Sequence, residues 1–196
     1  MPLAANASIK VTSSSAMSAL ANGVEALCCL HSSPVSALIA QEGIRHIAEG
    51  ARDSVLHRDG LVGRSITQFG GYLTGAAAAV TRPGVLQTVC EELARVASVR
   101  YADARAVILP HYLAVLRQAQ PLVLASIAAA LTSNDAVRGL NGLAADIGAP
   151  RSLAELGVTP DDLRTVTEVC AERSWGRPGL AEQAMPDVLA AALHHS

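Results

Sequence analysis

The sequence has few aromatic and few charged residues. Phe, Trp and Tyr make up 3% of its 196 residues, and Asp, Glu, Lys and Arg make up 16%. Hydrophobic residues make up 51%, mostly as Ala, Leu and Val, which excludes a largely disordered chain. The same composition favours closely packed helices over a β-sandwich, which uses more β-branched and aromatic residues. The length is sufficient for one domain with a hydrophobic core.

The sequence also lacks the features of nucleic-acid-binding, membrane and secreted proteins. The net charge is −2 and the arginines are scattered, so we expect no basic surface for phosphate groups and no nucleic-acid partner. The longest apolar run, Pro121–Leu131, is too short to span a bilayer, and we expect no secretory signal at the N-terminus. The cysteines form no C-x-x-C pair, and we expect four reduced core residues in a cytoplasmic protein: Cys28, Cys29, Cys90 and Cys170.

Common catalytic and cofactor motifs are absent as well. The sequence has no G-x-G-x-x-G after a strand, no G-x-S-x-G, no H-E-x-x-H and no Cys/His cluster. The glycines of G-G-Y-L-T-G (70–75) lack the ending of a phosphate-binding loop, and we interpret them as contact points between helices. His194 and His195 lie in a tail that we expect to fray.

Apolar residues at helical spacing continue along most of the chain and leave little room for strands. After an irregular lead-in, residues 1–13, we predict one all-α domain, 14–196, with eight or nine helices. The predicted helices cover about residues 14–30, 34–51, 59–81, 85–98, 102–118, 121–131, 133–148, 160–173 and 181–193, with a short helical turn within 149–158. Pro110 is expected to kink or break the fifth helix, and the apolar sixth helix is expected at the centre of the bundle.

The first predicted helix carries an unexpected polar pair. Its residues 15–27 read S-A-M-S-A-L-A-N-G-V-E-A-L, and Ser18 and Asn22 are four residues apart on one face. These two side chains either line a site or form hydrogen bonds with neighbouring helices. The spacing alone does not separate the two alternatives.

Several further motifs follow in a characteristic order. They are P-V-S-A-L-I-A-Q-E-G-I-R (34–45), G-R-S-I-T-Q-F-G-G-Y-L-T-G (63–75), A-V-I-L-P-H-Y (106–112), I-G-A-P-R-S-L-A-E-L-G-V-T-P-D-D-L (147–163) and the pair Arg177-Pro178. Together with residues 15–27, they resemble the C-terminal domain of iron-containing alcohol dehydrogenases and maleylacetate reductases. The resemblance covers about residues 13–193 and implies a helical domain of the dehydroquinate synthase-like type.

The sequence departs from that family in two ways. We expect the family's N-terminal nucleotide-binding domain to be missing. The resemblance places the family's metal ligands, one Asp and three His, at Ser18 and Asn22 and near Gln87 and Tyr101, which are all uncharged. Ser, Asn and Gln are weak ligands for a divalent ion, and Tyr binds iron only as phenolate. We therefore expect no metal, no nicotinamide cofactor and no hydride transfer by this chain alone.

The resemblance places further polar residues on the wall of the same cleft. Glu91 and Tyr101 are candidates for a general base and acid if Glu91 is buried, and Arg105 is a candidate to hold a carboxylate or enolate oxygen. His111 completes the catalytic candidates. The predicted substrate-binding residues are Ser18, Asn22, Gln87 and Asp103.

Each of these residues also has a structural interpretation. Glu91, Glu92 and Arg95 form a solvated stripe in that view, and Arg105 pairs with Asp103 or another nearby acid. His111 is then a structural histidine. Trp175 is either a lid over the site or a packing anchor for the last helix.

Three functions remain open on these grounds. The first is a cofactor-independent biosynthetic enzyme that binds a small organic molecule and catalyses cyclisation, isomerisation or elimination. The second is a non-catalytic partner or scaffold subunit, or the substrate-binding subunit of a split reductase. The third is a reductase fragment that has lost its function. The face that a nucleotide domain would cover is expected to form a homodimer or a heteromer, and no membrane partner is expected.

Overall fold

The computed structural model describes residues 7–29, 31–57, 60–81, 84–172 and 184–194. Within these ranges the chain forms nine α-helices, one 3₁₀ turn (Ala154–Leu156) and no strand, which confirms the all-α prediction. The helices are α1 (Ile9–Cys28), α2 (Pro34–Leu56), α3 (Val62–Ala79), α4 (Val85–Val96), α5 (Tyr101–Leu116), α6 (Pro121–Ala130), α7 (Ala136–Ile147), α8 (Pro160–Glu172) and α9 (Met185–Leu193). Trp175, Arg177, Pro178 and His195 lie outside the described residues.

Helix α5 is the centre of the fold. It is buried around most of its circumference and packs against α1, α4, α6, α7 and α9. Pro110 lies inside this helix without breaking it, because neighbouring helices hold the segment in place although proline cannot donate its backbone hydrogen bond. The predicted central position of α6 is wrong, since Leu122 in α6 is 83% exposed. The apolar composition of α6 reflects many small alanines rather than burial on every side.

Polar side chains fix several helix starts. Helix α1 begins at Ile9 because Ser8 Oγ accepts a hydrogen bond from the backbone N of Val11 at 3.3 Å. The irregular lead-in is therefore shorter than predicted. Asp135 Oδ1 accepts from the backbone N of Arg138 at 2.8 Å and caps α7. Thr159 Oγ1 accepts from the backbone N of Asp162 at 3.2 Å, so the predicted start of α8 is confirmed, whereas α7 begins at Ala136, three residues after the predicted start.

Helices α2 and α3 pack with their backbones in contact. A Cβ atom added to Gly70 would lie 2.7 Å from the carbonyl oxygen of Gly43, and one added to Gly50 would lie 2.6 Å from that of Gly63. Only residues without a side chain allow two helices to come this close. The predicted contact role is confirmed for Gly70, whereas Gly75 has open space around it.

All four cysteines are free thiols. Only Cys90 is buried, so the prediction of four core cysteines is wrong for the other three, which are half-buried. Burial raises the pKa of Cys28 to about 12 and that of Cys90 further, so both thiols are protonated and unreactive at neutral pH. Among the described helices, none combines the length and the apolar character needed to cross a membrane.

Candidate functional site

A buried arginine lies at the junction of α1, α4 and α5. Arg105 is 2% exposed, and its Nη2 donates to Glu25 Oε2 at 2.6 Å. Its Nη1 donates to Asn22 Oδ1 at 2.5 Å and to the carbonyl oxygen of Ser18 at 3.1 Å. Three residues that the sequence analysis assigned to one site, Ser18, Asn22 and Arg105, are therefore held together by a single guanidinium.

Glu25 connects this guanidinium to α4. Its Oε1 accepts a hydrogen bond from the backbone N of Gln87 at 3.2 Å and so caps the first turn of α4, where Gly84 offers no side chain. A Cβ atom on Gly84 would overlap Glu25 Oε1, so glycine is required for this close approach. One carboxylate thus joins α1, α4 and α5. The sequence analysis missed Glu25, although it lies seven residues after Ser18 on the same helix face.

The charges of Glu25 and Arg105 are removed from water together. Burial raises the pKa of Glu25 above its ordinary value, and the Arg105 charge and the Gln87 amide lower it in partial compensation. Arg105 Nε is buried and has no hydrogen-bond partner in the part of the chain that the structure describes. Both Nη groups are already engaged within the protein. The prediction that Arg105 holds a substrate carboxylate directly is therefore not supported by this geometry, and its acidic partner is Glu25 rather than Asp103.

Asp103 has a structural role in place of the predicted substrate-binding one. It is 4% exposed, and its carboxylate accepts hydrogen bonds from Ser14 Oγ at 2.5 Å and from Arg100 at 2.7 and 2.8 Å. Both carboxylate oxygens are occupied by these partners. Asp103 therefore ties α1 to the first turn of α5 through three hydrogen bonds, and it is nearly fully buried.

Tyr101 lies against the Arg105 guanidinium. The Arg105 Cζ atom is 5.4 Å from the centre of the Tyr101 ring, which is a cation–π distance. Burial of the half-buried phenol raises the pKa of Tyr101 to about 12, and the charge of Arg105 partly opposes this shift. Tyr101 is therefore protonated at neutral pH and acts as a hydrogen-bond or proton donor.

Gln87 and Glu91 lie beside this cluster on α4. Gln87 Nε2 donates to Glu91 Oε1 at 3.0 Å, as expected for residues four apart on one helix face. Glu91 is exposed, so the burial on which its predicted role as a base depends is absent. The predicted solvated stripe is also only partly correct, because Glu92 is 3% exposed and pairs with Arg95 at 2.8 Å.

His111 is not part of this cluster. It lies six residues after Arg105 on α5, which places it about 240° around the helix. It borders a cavity of about 20 Å³ that Asn141 and Pro150 also line, on the side of α5 that faces α7. A space of this size holds about one water molecule. The structure therefore separates His111 from the other predicted catalytic residues.

Comparison with known proteins identifies the family. The family model described as "Fe-containing alcohol dehydrogenase family, C-terminal" matches residues 12–193. The chain belongs to this family. The maleylacetate reductase of Burkholderia cepacia is 31% identical over 188 residues, which are 96% of this chain and 53% of that protein. The relationship predicted from the order of the sequence motifs is thereby confirmed.

Solved structures of the Fe-containing alcohol dehydrogenase family share the fold. The maleylacetate reductase of Rhizobium sp. strain MTP-10005 has a TM-score of 0.88 at 28% identity, covering 96% of this chain and 54% of that one. An iron-containing alcohol dehydrogenase of Corynebacterium glutamicum has a TM-score of 0.90 at 25% identity, covering 98% and 55%. The chain spans about half the length of the curated relatives it matches.

The iron implied by the family name does not fit the residues of this site. Asn22 Oδ1, at one of the four positions that the sequence resemblance matches to the ligands, accepts a hydrogen bond from a guanidinium. Tyr101 is a neutral phenol, and Ser18 and Gln87 are uncharged. Over the described ranges, no three His, Cys, Asp or Glu side chains lie close enough together to hold a metal ion. These side chains therefore suit a site that is built around the fixed guanidinium of Arg105 and not around a metal ion.

Proposed function

We propose that this chain is a metal-independent and nicotinamide-independent member of the Fe-containing alcohol dehydrogenase family. It binds a small organic molecule and acts on it by non-redox acid–base chemistry. Cyclisation, isomerisation and elimination are the reactions that positioning and proton transfer alone can serve. The supporting observation is the buried guanidinium of Arg105, which contacts Ser18, Asn22 and Tyr101.

Electrostatic repulsion supports the metal-independent part of the proposal. A metal ion bound to Asn22 Oδ1 lies about 2 Å from that oxygen. Arg105 Nη1 lies 2.5 Å from the same oxygen, so the cation and the nitrogen are separated by at most about 4.5 Å. At an effective dielectric constant of about 20, a divalent ion and a guanidinium at this distance repel by about 7 kcal/mol. Glu25 offsets part of this repulsion, but four weak ligands do not supply the remainder.

The proposed acid–base group is Tyr101, and Glu91 is a solvent-exposed hydrogen-bond acceptor beside it. Tyr101 remains protonated far above neutral pH and lies partly exposed over the guanidinium, so it is the proton donor. Glu91 is the carboxylate at the solvent edge, where Gln87 Nε2 orients it by a hydrogen bond of 3.0 Å. Together they place a donor and an acceptor on neighbouring helices.

The relatives favour a second candidate function. Maleylacetate reductases from Burkholderia cepacia and Rhizobium sp. are 31% and 29% identical to this chain, which spans 53% and 50% of their lengths. In this candidate, the residues described here form the substrate-binding half of a reductase for maleylacetate or a related keto acid. A nucleotide-binding part then supplies the reductant.

Metal analysis tests the first candidate. The purified protein is incubated with Zn²⁺ or Fe²⁺, dialysed and analysed by mass spectrometry, and we expect well below one ion per chain. A variant of the protein combines the four changes Ser18→Asp, Asn22→His, Gln87→His and Tyr101→His. It is expected to bind Zn²⁺ weakly while Arg105 is present and more tightly once Arg105→Gln is added. Circular dichroism verifies that both variants fold. One ion per chain in the wild type, lost on Asn22→Ala, would refute metal independence.

Two activity measurements separate the candidates. In D₂O, the first candidate predicts exchange of hydrogens beside the keto group of maleylacetate, followed by NMR, and a large loss of this exchange in Tyr101→Phe. The second predicts maleylacetate-dependent oxidation of NADH when a nucleotide-binding part is supplied with the protein. Tyr72→Phe is the matched control, because Tyr72 lies 72% exposed on α3. If neither hydrogen exchange nor NADH oxidation is observed, the non-catalytic partner function remains.

The homodimer or heteromer and the cytoplasmic location stay predictions. The oligomeric state is measured by light scattering.

A further inference from the structure

The orientation of the Asn22 amide is fixed by its partner. A guanidinium has hydrogen-bond donors and no acceptor, so the Asn22 atom that faces Arg105 Nη1 at 2.5 Å is the carbonyl oxygen. The amide nitrogen Nδ2 is then directed away from Arg105. It has no hydrogen-bond partner in the part of the chain described by the structure, and Asn22 is half-buried. Two N–H donors are therefore presented next to a buried cation.

Two hydroxyl groups beside the same guanidinium are also without partners within the described ranges. Ser18 lies one turn before Asn22 on α1, so the Cβ atoms of the two residues are about 5–6 Å apart. Its carbonyl oxygen accepts from Arg105, while its hydroxyl makes no hydrogen bond there. The Tyr101 hydroxyl extends from a ring that contacts Arg105. Ser18, Asn22 and Tyr101 are all half-buried, whereas Arg105 is 2% exposed, so these donors lie between the cation and solvent.

We propose that the Ser18 hydroxyl, the Asn22 amide and the Tyr101 hydroxyl form an oxyanion-binding site backed by Arg105. The inference rests on the proposed function and names its ligand class: a compound with an enolate-like or phenolate-like oxygen. Each of these donors belongs to a residue that contacts Arg105, and each is free among the described residues, so a negative oxygen can accept from them without breaking a hydrogen bond within the protein. Glu25 balances the charge of Arg105, so neutral donors rather than a net positive charge hold the oxygen, and a dianion is disfavoured.

A chromogenic phenol provides the test. The ionised and neutral forms of 4-nitrophenol absorb at different wavelengths, so its ionisation can be read while it is bound to the protein. An oxyanion site lowers the apparent pKa of the bound phenol, whereas a merely apolar pocket raises it. We expect the ionised form to be favoured in the complex. We also expect Tyr101→Phe to weaken binding of the ionised form about tenfold or more, because one hydrogen bond to a charged oxygen is lost.

Matched variants localise the bound probe. Tyr101→Phe keeps the ring over Arg105, so its thermal unfolding should match the wild type, and Tyr72→Phe should change neither binding nor ionisation. Ser15→Ala reports on a separate cavity of about 270 Å³ between α1 and α3. Binding that is sensitive to Ser15→Ala and insensitive to Tyr101→Phe overturns the inference, as does a raised phenol pKa or no binding.

The two proposals fail in different ways. Stoichiometric metal in the wild type removes the proposed function whatever the phenol does. An absence of metal together with a phenol that is bound in its neutral form, or unaffected by Tyr101→Phe, removes only the oxyanion site.

Discussion

The contact between Gly84 and Glu25 gives a sharp prediction for Gly84→Ala. A methyl group at residue 84 overlaps Glu25 Oε1, and the carboxylate cannot move freely because Arg105 Nη2 holds its other oxygen at 2.6 Å. The backbone of Gly84, at φ −90° and ψ 173°, suits alanine without strain. Any loss of stability therefore comes from the displaced carboxylate and not from the main chain.

The expected loss follows from the bond that is broken. The backbone N of Gln87 donates to Glu25 at 3.2 Å, and a hydrogen bond to a charged group contributes about 1.5–3 kcal/mol. Replacing glycine by alanine reduces the conformational entropy of the unfolded chain, which stabilises the folded state by about 0.4–1 kcal/mol. The net destabilisation is about 1–2 kcal/mol, which lowers the Tm of a chain of this size by about 5 °C.

Gly75→Ala is the matched control for this experiment. Gly75 lies inside α3 with no atom within 4 Å of an added Cβ. Alanine is the better helix former by about 1 kcal/mol, so Gly75→Ala should raise the Tm slightly. Both variants are compared with the wild type by thermal and urea unfolding followed by circular dichroism. A Gly84→Ala protein as stable as Gly75→Ala would refute the assignment of Glu25 as the cap of α4.

Three further predictions concern the core and the site. Ile108→Ala, at a fully buried position of α5, should cost about 3–4 kcal/mol in guanidinium unfolding, and a loss below about 1 kcal/mol would show that α5 is not central. Gly70→Ala should cost about 2–3 kcal/mol, because its methyl group meets the Gly43 carbonyl and separates α2 from α3; equal stability in urea would contradict that contact. The ultraviolet difference between wild type and Tyr101→Phe should titrate near pH 12. The folded state favours the neutral phenol, so the contribution of Tyr101 to the free energy of unfolding is complete below pH 10 and is lost as the pH rises towards 12. A titration midpoint near pH 10 would show that the Tyr101 phenol is not buried.

The order of the helices was predictable because local signals mark it. Pro34, Pro121 and Pro160 each begin a helix, and the side chains of Asp135 and Thr159 cap the starts of α7 and α8. These signals act within four residues and need no tertiary information. The position of α6 was not predictable in this way, because an alanine-rich run has the same composition at the surface as in the core.

The site was only partly predictable for a related reason. The four-residue spacing located Ser18 and Asn22, and the resemblance located Arg105. The residue that balances Arg105 is 80 positions away, and Glu25 has the appearance of an ordinary helical acid until α5 packs against α1. The burial of Glu92 and the exposure of Glu91, adjacent residues on one helix, likewise depend on which neighbour packs on which side.

The pairing of Glu25 with Arg105 also constrains the order in which mutations can accumulate at this site. Substitution of Arg105 alone leaves the buried Glu25 carboxylate without its charged partner, and substitution of Glu25 alone leaves the buried Arg105 guanidinium without its partner. Either loss destabilises the domain. Glu25 and Arg105 are therefore expected to change as a unit, since each single loss gives a less stable domain.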